Sequence, residues 1–189
     1  MTRVSIIGTG AVGRALEAGL QGKGGYEVRS ASHDEREVRD AAAWGDVIIL
    51  AVPLAAVDDV LKTIGDGGRG KVVVDVTNDF GETPPTSRAE ELQTKAPAAR
   101  VVKAFNTVFA KHMASGKVKG EAVSLFVAGD DASAKKQVMD LGRSIGFLPV
   151  DAGPLKNSRF LESLGMLNIK LGFGPSKYGE DIGFRLVGA

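Results

Sequence analysis

Arg3-Val4-Ser5-Ile6-Ile7-Gly8-Thr9-Gly10-Ala11-Val12-Gly13 decides the fold. The first five residues form an apolar run of strand type that stops at Gly8. From Ala11 to Gln21, Val12, Ala15, Leu16 and Leu20 share one helical face. A G-x-G-x-x-G spacing that leaves a strand and opens a helix has the context required of a dinucleotide site. Gly8 permits the tight turn out of the strand. Gly10 lacks the Cβ that would hold a pyrophosphate off the backbone, and Gly13 lets helix and strand pack closely. The free N–H groups at the helix start, with the helix dipole, then attract phosphate. A tight strand-to-helix turn without a ligand also favours glycine, so the position of the motif carries its weight.

The same alternation continues outward from this junction. Strands are expected at Tyr26 to Ala31, Asp46 to Val52, Lys71 to Val76, Val101 to Phe105, Val123 to Ala128 and Phe147 to Val150. Helices are expected at Asp34 to Ala43, with Asp34 as N-cap, then at Leu54 to Ile64, Glu90 to Lys95 and Ala132 to Ile145. A loop is expected over residues 80–88, where Gly81, Pro84 and Pro85 fall. Strands apolar on both faces and separated by helices mean a parallel sheet covered on both sides. The expected class is therefore α/β: a Rossmann-type, doubly wound, mostly parallel sheet. A small helical part closes the chain over residues 155–189, where Leu161, Leu164, Leu167 and Leu171 have helical spacing. No repeat, low-complexity segment or linker divides the 189 residues, so one NADP-binding domain over 1–189 is expected.

Composition narrows the function. Lys plus Arg number 24 and Asp plus Glu 23, for a formal charge of +1. Residues 1–95 carry −4 and residues 96–189 carry +5, either as surface scatter or as a half that faces an anionic ligand. No basic block mixed with aromatics points to nucleic acid. There is no Cys, which removes disulfides, thiolate metal sites and cysteine nucleophiles. The two His, His33 and His112, lie far apart, so no metal site is expected. No apolar run approaches the roughly 20 residues that span a bilayer. Nor does the N-terminus read as a secretory signal, because Met1 to Ile7 runs straight into the glycine turn. A cytoplasmic protein is expected.

The end of the second strand separates NAD from NADP, because an acidic residue there binds the ribose 2′-hydroxyl and repels a 2′-phosphate. Ser32 stands at that position. Ser32 can donate to phosphate, and His33 and Arg36 can add positive charge, so NADP is favoured. Asp34 and Glu35 oppose this, unless they serve as helix N-terminal residues that complement the dipole. Ala51-Val52-Pro53 ends the third strand and either walls the nicotinamide ribose or terminates the strand. Asn78 follows the next strand, on the edge where such sheets bind ligands. Asn106 is either a turn former or an amide that orients the nicotinamide carboxamide or the acceptor ring. Trp44 reads as packing. Met113, Met166, Leu167 and Phe173 suit an acceptor pocket, the core or a dimer contact. Asp151, Asn157, Arg159 and Glu162 suit a cap and ion pair as well as a ligand contact.

Asp151-Ala152-Gly153-Pro154-Leu155-Lys156-Asn157-Ser158-Arg159-Phe160-Leu161-Glu162-Ser163-Leu164 resembles the D-A-G-P-L-x-N-S-R-x-x-E-S-L segment of the coenzyme F₄₂₀-dependent NADP oxidoreductases. Gly179 to Arg185 and Val127 to Asp131 are also similar to that family, and the likeness runs along nearly the whole chain. The reductase domain of membrane-bound ferric reductases resembles it more distantly. The resemblance implies a Rossmann homodimer that moves hydride between NADP(H) and a 5-deazaflavin, coenzyme F₄₂₀, or a flavin-like acceptor. It places Thr9, Gly10, Ala11 and Val12 at the pyrophosphate and Ser32, His33 and Arg36 at the 2′-phosphate. Ala51, Val52 and Pro53 fall at the nicotinamide half. Ala104, Asn106 and Thr107 fall in the segment beside the second ring. The chain departs from the family at His33-Asp34, where two Arg are common. It departs again at Asn106 and Phe109, where the family has His and Pro.

Hydride transfer between two rings needs alignment at roughly 3–3.5 Å rather than an acid, a base or a metal. No catalytic acid is therefore assigned. A carbonyl or imine acceptor would need a proton donor near the nicotinamide. That alternative stays open, as does a non-catalytic NADPH sensor. A small-molecule hydride acceptor is the expected partner.

Overall fold

The computed structural model describes residues 1–79 and 85–188. Most of the loop expected around Gly81 and Pro84 therefore lies outside the described residues. The elements, in order, are β1 (Thr2–Ile7), α1 (Ala11–Leu20), β2 (Tyr26–Ala31), α2 (Glu35–Trp44), β3 (Val47–Leu50), α3 (Val57–Ile64), β4 (Val72–Asp75), α4 (Arg88–Lys95) and β5 (Arg100–Lys103). There follow α5 (Ala110–Met113), β6 (Lys117–Val118), β7 (Glu121–Ala122), β8 (Ser124–Gly129), α6 (Ala132–Ile145), β9 (Leu148–Asp151) and α7 (Ser158–Phe173).

The main sheet runs in the order β2-β1-β3-β4-β5-β8-β9. Its first five strands are parallel. Residues alternate between two cores because successive side chains leave a strand on opposite faces. Val4, Ile6, Val47, Ile49, Val72 and Val74 pack with Leu16 and Leu20 of α1 and Val138 and Leu141 of α6. Ile7, Ile48, Leu50 and Val73 pack with Val38 of α2, Val57 and Val60 of α3 and Leu92 of α4. Helices thus cover both faces, which is the doubly wound arrangement expected.

The helical part expected over residues 155–189 ends at Phe173, and residues 174–188 continue without helix or strand. Two further features depart from the expected course. β5 and β8 pair antiparallel, after which β8 and β9 pair parallel. The chain between β5 and β8 is spent on the four-residue α5 and the β6–β7 hairpin, so no crossover helix carries it back to the opposite edge. The helix expected from Glu90 starts instead at Arg88. Ser87 caps it, and Ser87 and Glu90 form a reciprocal capping box.

Candidate functional site

Register places the ends of five strands in one row. Ile7 stands beside Ala31 and Leu50, Leu50 beside Asp75, and Asp75 beside Lys103. Each chain segment that follows one of these residues therefore emerges on the same carboxyl edge. Those segments are Gly8–Gly13, Ser32–Arg36, Ala51–Pro53, Thr77–Asn78 and Ala104–Thr107, which contain the residues expected at the pyrophosphate, the 2′-phosphate, the nicotinamide and the second ring. The connection after β1 runs to β2 on one side and the connection after β3 runs to β4 on the other, so this edge holds the topological switch at which such sheets bind ligands.

The glycine turn has a distinct use for each glycine. Gly8 has φ +117°, and a Cβ on it would lie 2.1 Å from the Ala51 carbonyl oxygen. A Cβ on Gly13 would lie 1.9 Å from the Gly8 carbonyl oxygen, so helix and turn touch backbone to backbone. A Cβ on Gly10 would meet nothing within 4 Å, so the space over it is open to a ligand. Gly10 is also the N-cap of α1, with no side chain capping the helix and no acidic residue in its first turn. The positive end of the α1 dipole thus faces the open side, with Thr9, Gly10 and Ala11 exposed there.

At the end of β2, Ser32 is half-buried and His33 and Arg36 are exposed. Asp34 caps α2 as expected, accepting from the N–H groups of Arg36 and Glu37, and those bonds hold its carboxyl below the usual carboxylate range. The Ser32 donors are engaged, however. Its N–H and hydroxyl both donate to Glu37, at 2.9 and 2.6 Å.

Beyond β3, Ala51 donates its N–H to Ile7 and lies against Gly8, and Pro53 starts a short 3₁₀ turn. Beyond β5, Phe105 has a left-handed backbone, φ 65°, although it is fully buried. Its ring sits edge-on to Phe147 with centroids 5.8 Å apart, and that packing pins a conformation non-glycine residues avoid. The bend delivers Asn106 to Asn78. The Asn106 amide donates to Asn78 Oδ1 at 2.9 Å and to the Leu161 carbonyl at 2.8 Å, while Asn78 donates to the Asn106 carbonyl at 2.8 Å. Asn106 is 5% exposed and its Oδ1 has no hydrogen-bond partner among the described residues. Gly165 of α7 lies against this pair, where a Cβ would come within 2.5 Å of Asn78 Oδ1. α7 therefore lies across the carboxyl ends of β4 and β5.

Under the pair lies a charge cluster that the sequence did not reveal. Lys103, 0% exposed, donates to Asp75 at 2.8 Å, to Glu162 of α7 at 3.0 Å and to the Thr77 carbonyl at 2.7 Å. Burial pushes the Glu162 carboxyl up, against the pull of Lys103. Asp151, Asn157 and Arg159 are structural in the same way. Asp151 pairs with Lys135, the Asn157 amide bonds the Ala152 carbonyl, and Arg159 grips Glu90. Trp44 packs under the Arg29 guanidinium at 4.1 Å. Met113 is core, whereas Leu167 and Phe173 are exposed on or near the outer face of α7.

Known proteins share this arrangement. Residues 31–79 match the model of the family described as NADP oxidoreductase, coenzyme F₄₂₀-dependent. The chain is 30% identical over 192 residues to an F₄₂₀-dependent NADP reductase of Methanocaldococcus jannaschii, covering 94% of this chain and 85% of that protein. It is also 30% identical over 177 residues to the metalloreductase STEAP3 of Rattus norvegicus. That match takes in 86% of this chain but only 36% of the rat protein. The crystal structure of a candidate F₄₂₀-dependent NADP reductase from Arthrobacter sp. FB24 superposes over the full length of both chains, with a TM-score of 0.84 and 27% identity. Glycine turn, strand-end row and near-complete alignment with the archaeal reductase agree: this chain belongs to the F₄₂₀-dependent NADP oxidoreductase family.

Proposed function

We propose that the protein exchanges hydride between NADP(H) and coenzyme F₄₂₀ or another flavin-like ring. The observation that carries this reading is the open space over Gly10 at an uncapped helix start, in register with four further strand ends. In this reading Gly8 to Gly13 hold the pyrophosphate, and Ser32, His33 and Arg36 hold the 2′-phosphate. Ala51, Val52, Pro53 and Asn78 flank the nicotinamide, and Ala104, Asn106 and Thr107 flank the second ring. When bound, the two coenzymes supply the hydride chemistry. The chain aligns them and keeps water out. None of the residues assigned to the nicotinamide end is an acid or a base, and Lys103 is held by two carboxylates. That suits ring-to-ring transfer better than reduction of a carbonyl or imine, which calls for a proton donor.

The test is to mix the protein with NADPH and oxidised F₄₂₀ and follow the deazaflavin absorbance. Turnover is expected. Inertness toward F₄₂₀, FMN and FAD alike overturns the reading. Phe160, Leu167 and Phe173 leave an apolar outer face near α7, and the reading includes a homodimer formed there. Sedimentation of a monomer at tens of micromolar would remove that part. No described helix is long and apolar enough to cross a membrane. A cytoplasmic location belongs to the same proposal.

A further inference from the structure

Ser32 spends both of its donors on one oxygen. Its N–H and hydroxyl donate to Oε2 of Glu37, and its Oγ accepts from the N–H of Asp34 at 3.2 Å. The approach of Glu37 is set by the helix. Asp34 fixes the first turn of α2 by accepting from Arg36 and Glu37, so Glu37 leaves that turn close to the end of β2 and folds back on Ser32. The neighbouring charges are otherwise disposed. Glu35 pairs with Arg39 at 3.1 Å, Arg36 lies 3.9 Å from Asp40, and His33 is exposed. Hydrogen bonds from Ser32 hold the Glu37 carboxyl below its usual range, so it is anionic at neutral pH. The loop that would receive a 2′-phosphate therefore contains a tethered anion of its own.

We infer that Glu37 sets the discrimination between a 2′-phosphate and a 2′-hydroxyl by competing with the phosphate for Ser32. The inference rests on the dinucleotide reading above and names a determinant within it. In dinucleotide folds, a carboxylate at the end of the second strand accepts from the ribose hydroxyl and repels phosphate. In this chain that end is Ser32, and the carboxylate arrives from α2, five residues later. To admit NADP(H), Glu37 must release Ser32 and swing into solvent, which an exposed side chain can do without disturbing the core. To admit NAD(H), it stays and accepts from the ribose hydroxyl. The preference for NADP(H) is thus narrower than Ser32, His33 and Arg36 alone would make it.

The experiment measures dissociation constants for NADPH and NADH by calorimetry on the wild type, Glu37→Gln and Glu37→Ala, with a thermal melt of each. Glu37→Ala should tighten NADPH about tenfold at low salt, since it removes repulsion between a carboxylate and a near-dianionic phosphate. NADH should be unchanged or weaker. Glu37→Gln keeps an acceptor for Ser32 but loses the charge, and should move the NADPH/NADH ratio in the same direction by less. A ratio that stays constant, or moves toward NADH, in both variants overturns the inference. If the wild type binds neither coenzyme, the dinucleotide reading itself fails, and this inference falls with it.

Discussion

Gly10 and Gly13 stand three residues apart in one motif but carry different loads. A methyl group on Gly10 enters open space, whereas one on Gly13 enters the Gly8 carbonyl. Gly10→Ala should therefore cost the fold no more than about 1 kcal/mol, the difference between Gly and Ala as an N-cap. If the proposed site is right, it should nevertheless weaken NADPH binding by roughly tenfold or more, because the methyl would stand where that site admits the pyrophosphate to the backbone. Gly13→Ala should do the reverse, losing about 1–3 kcal/mol in urea denaturation as turn and helix are forced apart. Equal stability of the two variants would contradict this division. These roles are legible in the sequence because they are local. The Ser32–Glu37 contact is not. Asp34, Glu35 and Glu37 all lie within reach of Ser32, and helix phase chooses among them. Asp34 is consumed by the cap and Glu35 by Arg39, which leaves Glu37.

Between elements, α7 is fastened by ion pairs whose partners are far apart in the chain. Arg159 grips Glu90 of α4 through two bonds of 2.7 Å, and this, with Ser87, lowers the Glu90 carboxyl from 4.5 to about 2. A carboxyl whose pKa is lowered by folding contributes stability that is complete above about pH 4.5 and lost as pH falls toward 2. Arg159 is partly exposed, so solvent screening leaves only part of that shift as stability. Arg159→Ala should lower stability at neutral pH and flatten the decline between pH 4.5 and 2, as followed by circular dichroism. An undiminished acid slope would mean that Ser87, not Arg159, sets the Glu90 value. A deeper tie is Lys103 to Asp75 and Glu162. Lys103→Met leaves two carboxylates buried without a counter-charge and should cost about 3–5 kcal/mol in urea denaturation. Loss below 1 kcal/mol would show that the cluster relaxes freely. Glu90 and Arg159 are 69 residues apart, and Lys103 and Glu162 are 59 apart. No periodicity relates such pairs, so the sequence left Arg159 and Glu162 divided between cap and ligand contact. The Ser87-x-x-Glu90 spacing was a readable start signal, and it places the α4 N-terminus two residues earlier than hydrophobic spacing does.

Across the whole molecule, the parallel half was legible because each strand is apolar on both faces and each crossover helix has its own period. The reversal at β8 was not. Val123 to Ala128 reads as a strand in either direction, and only the short connection through α5 and the hairpin fixes the choice. The consequence is that the proposed site draws on segments from across the sheet. In the proposed reading the pyrophosphate turn leaves β1, the ribose end β2, the nicotinamide end β3 and β4, and the second-ring segment β5, with α7 lying over β4 and β5. A ligand that spans these ends holds elements that unfolding must separate, so it stabilises the domain by mass action. NADPH at about 100 times its dissociation constant should add about 2.7 kcal/mol. For a chain of this length that raises the melting temperature by roughly 5–10 °C. Gly10→Val, which blocks the turn while leaving every other strand end in place, should abolish the shift. If instead the variant keeps the full shift, the coenzyme binds elsewhere on the molecule and the strand-end row is not its site.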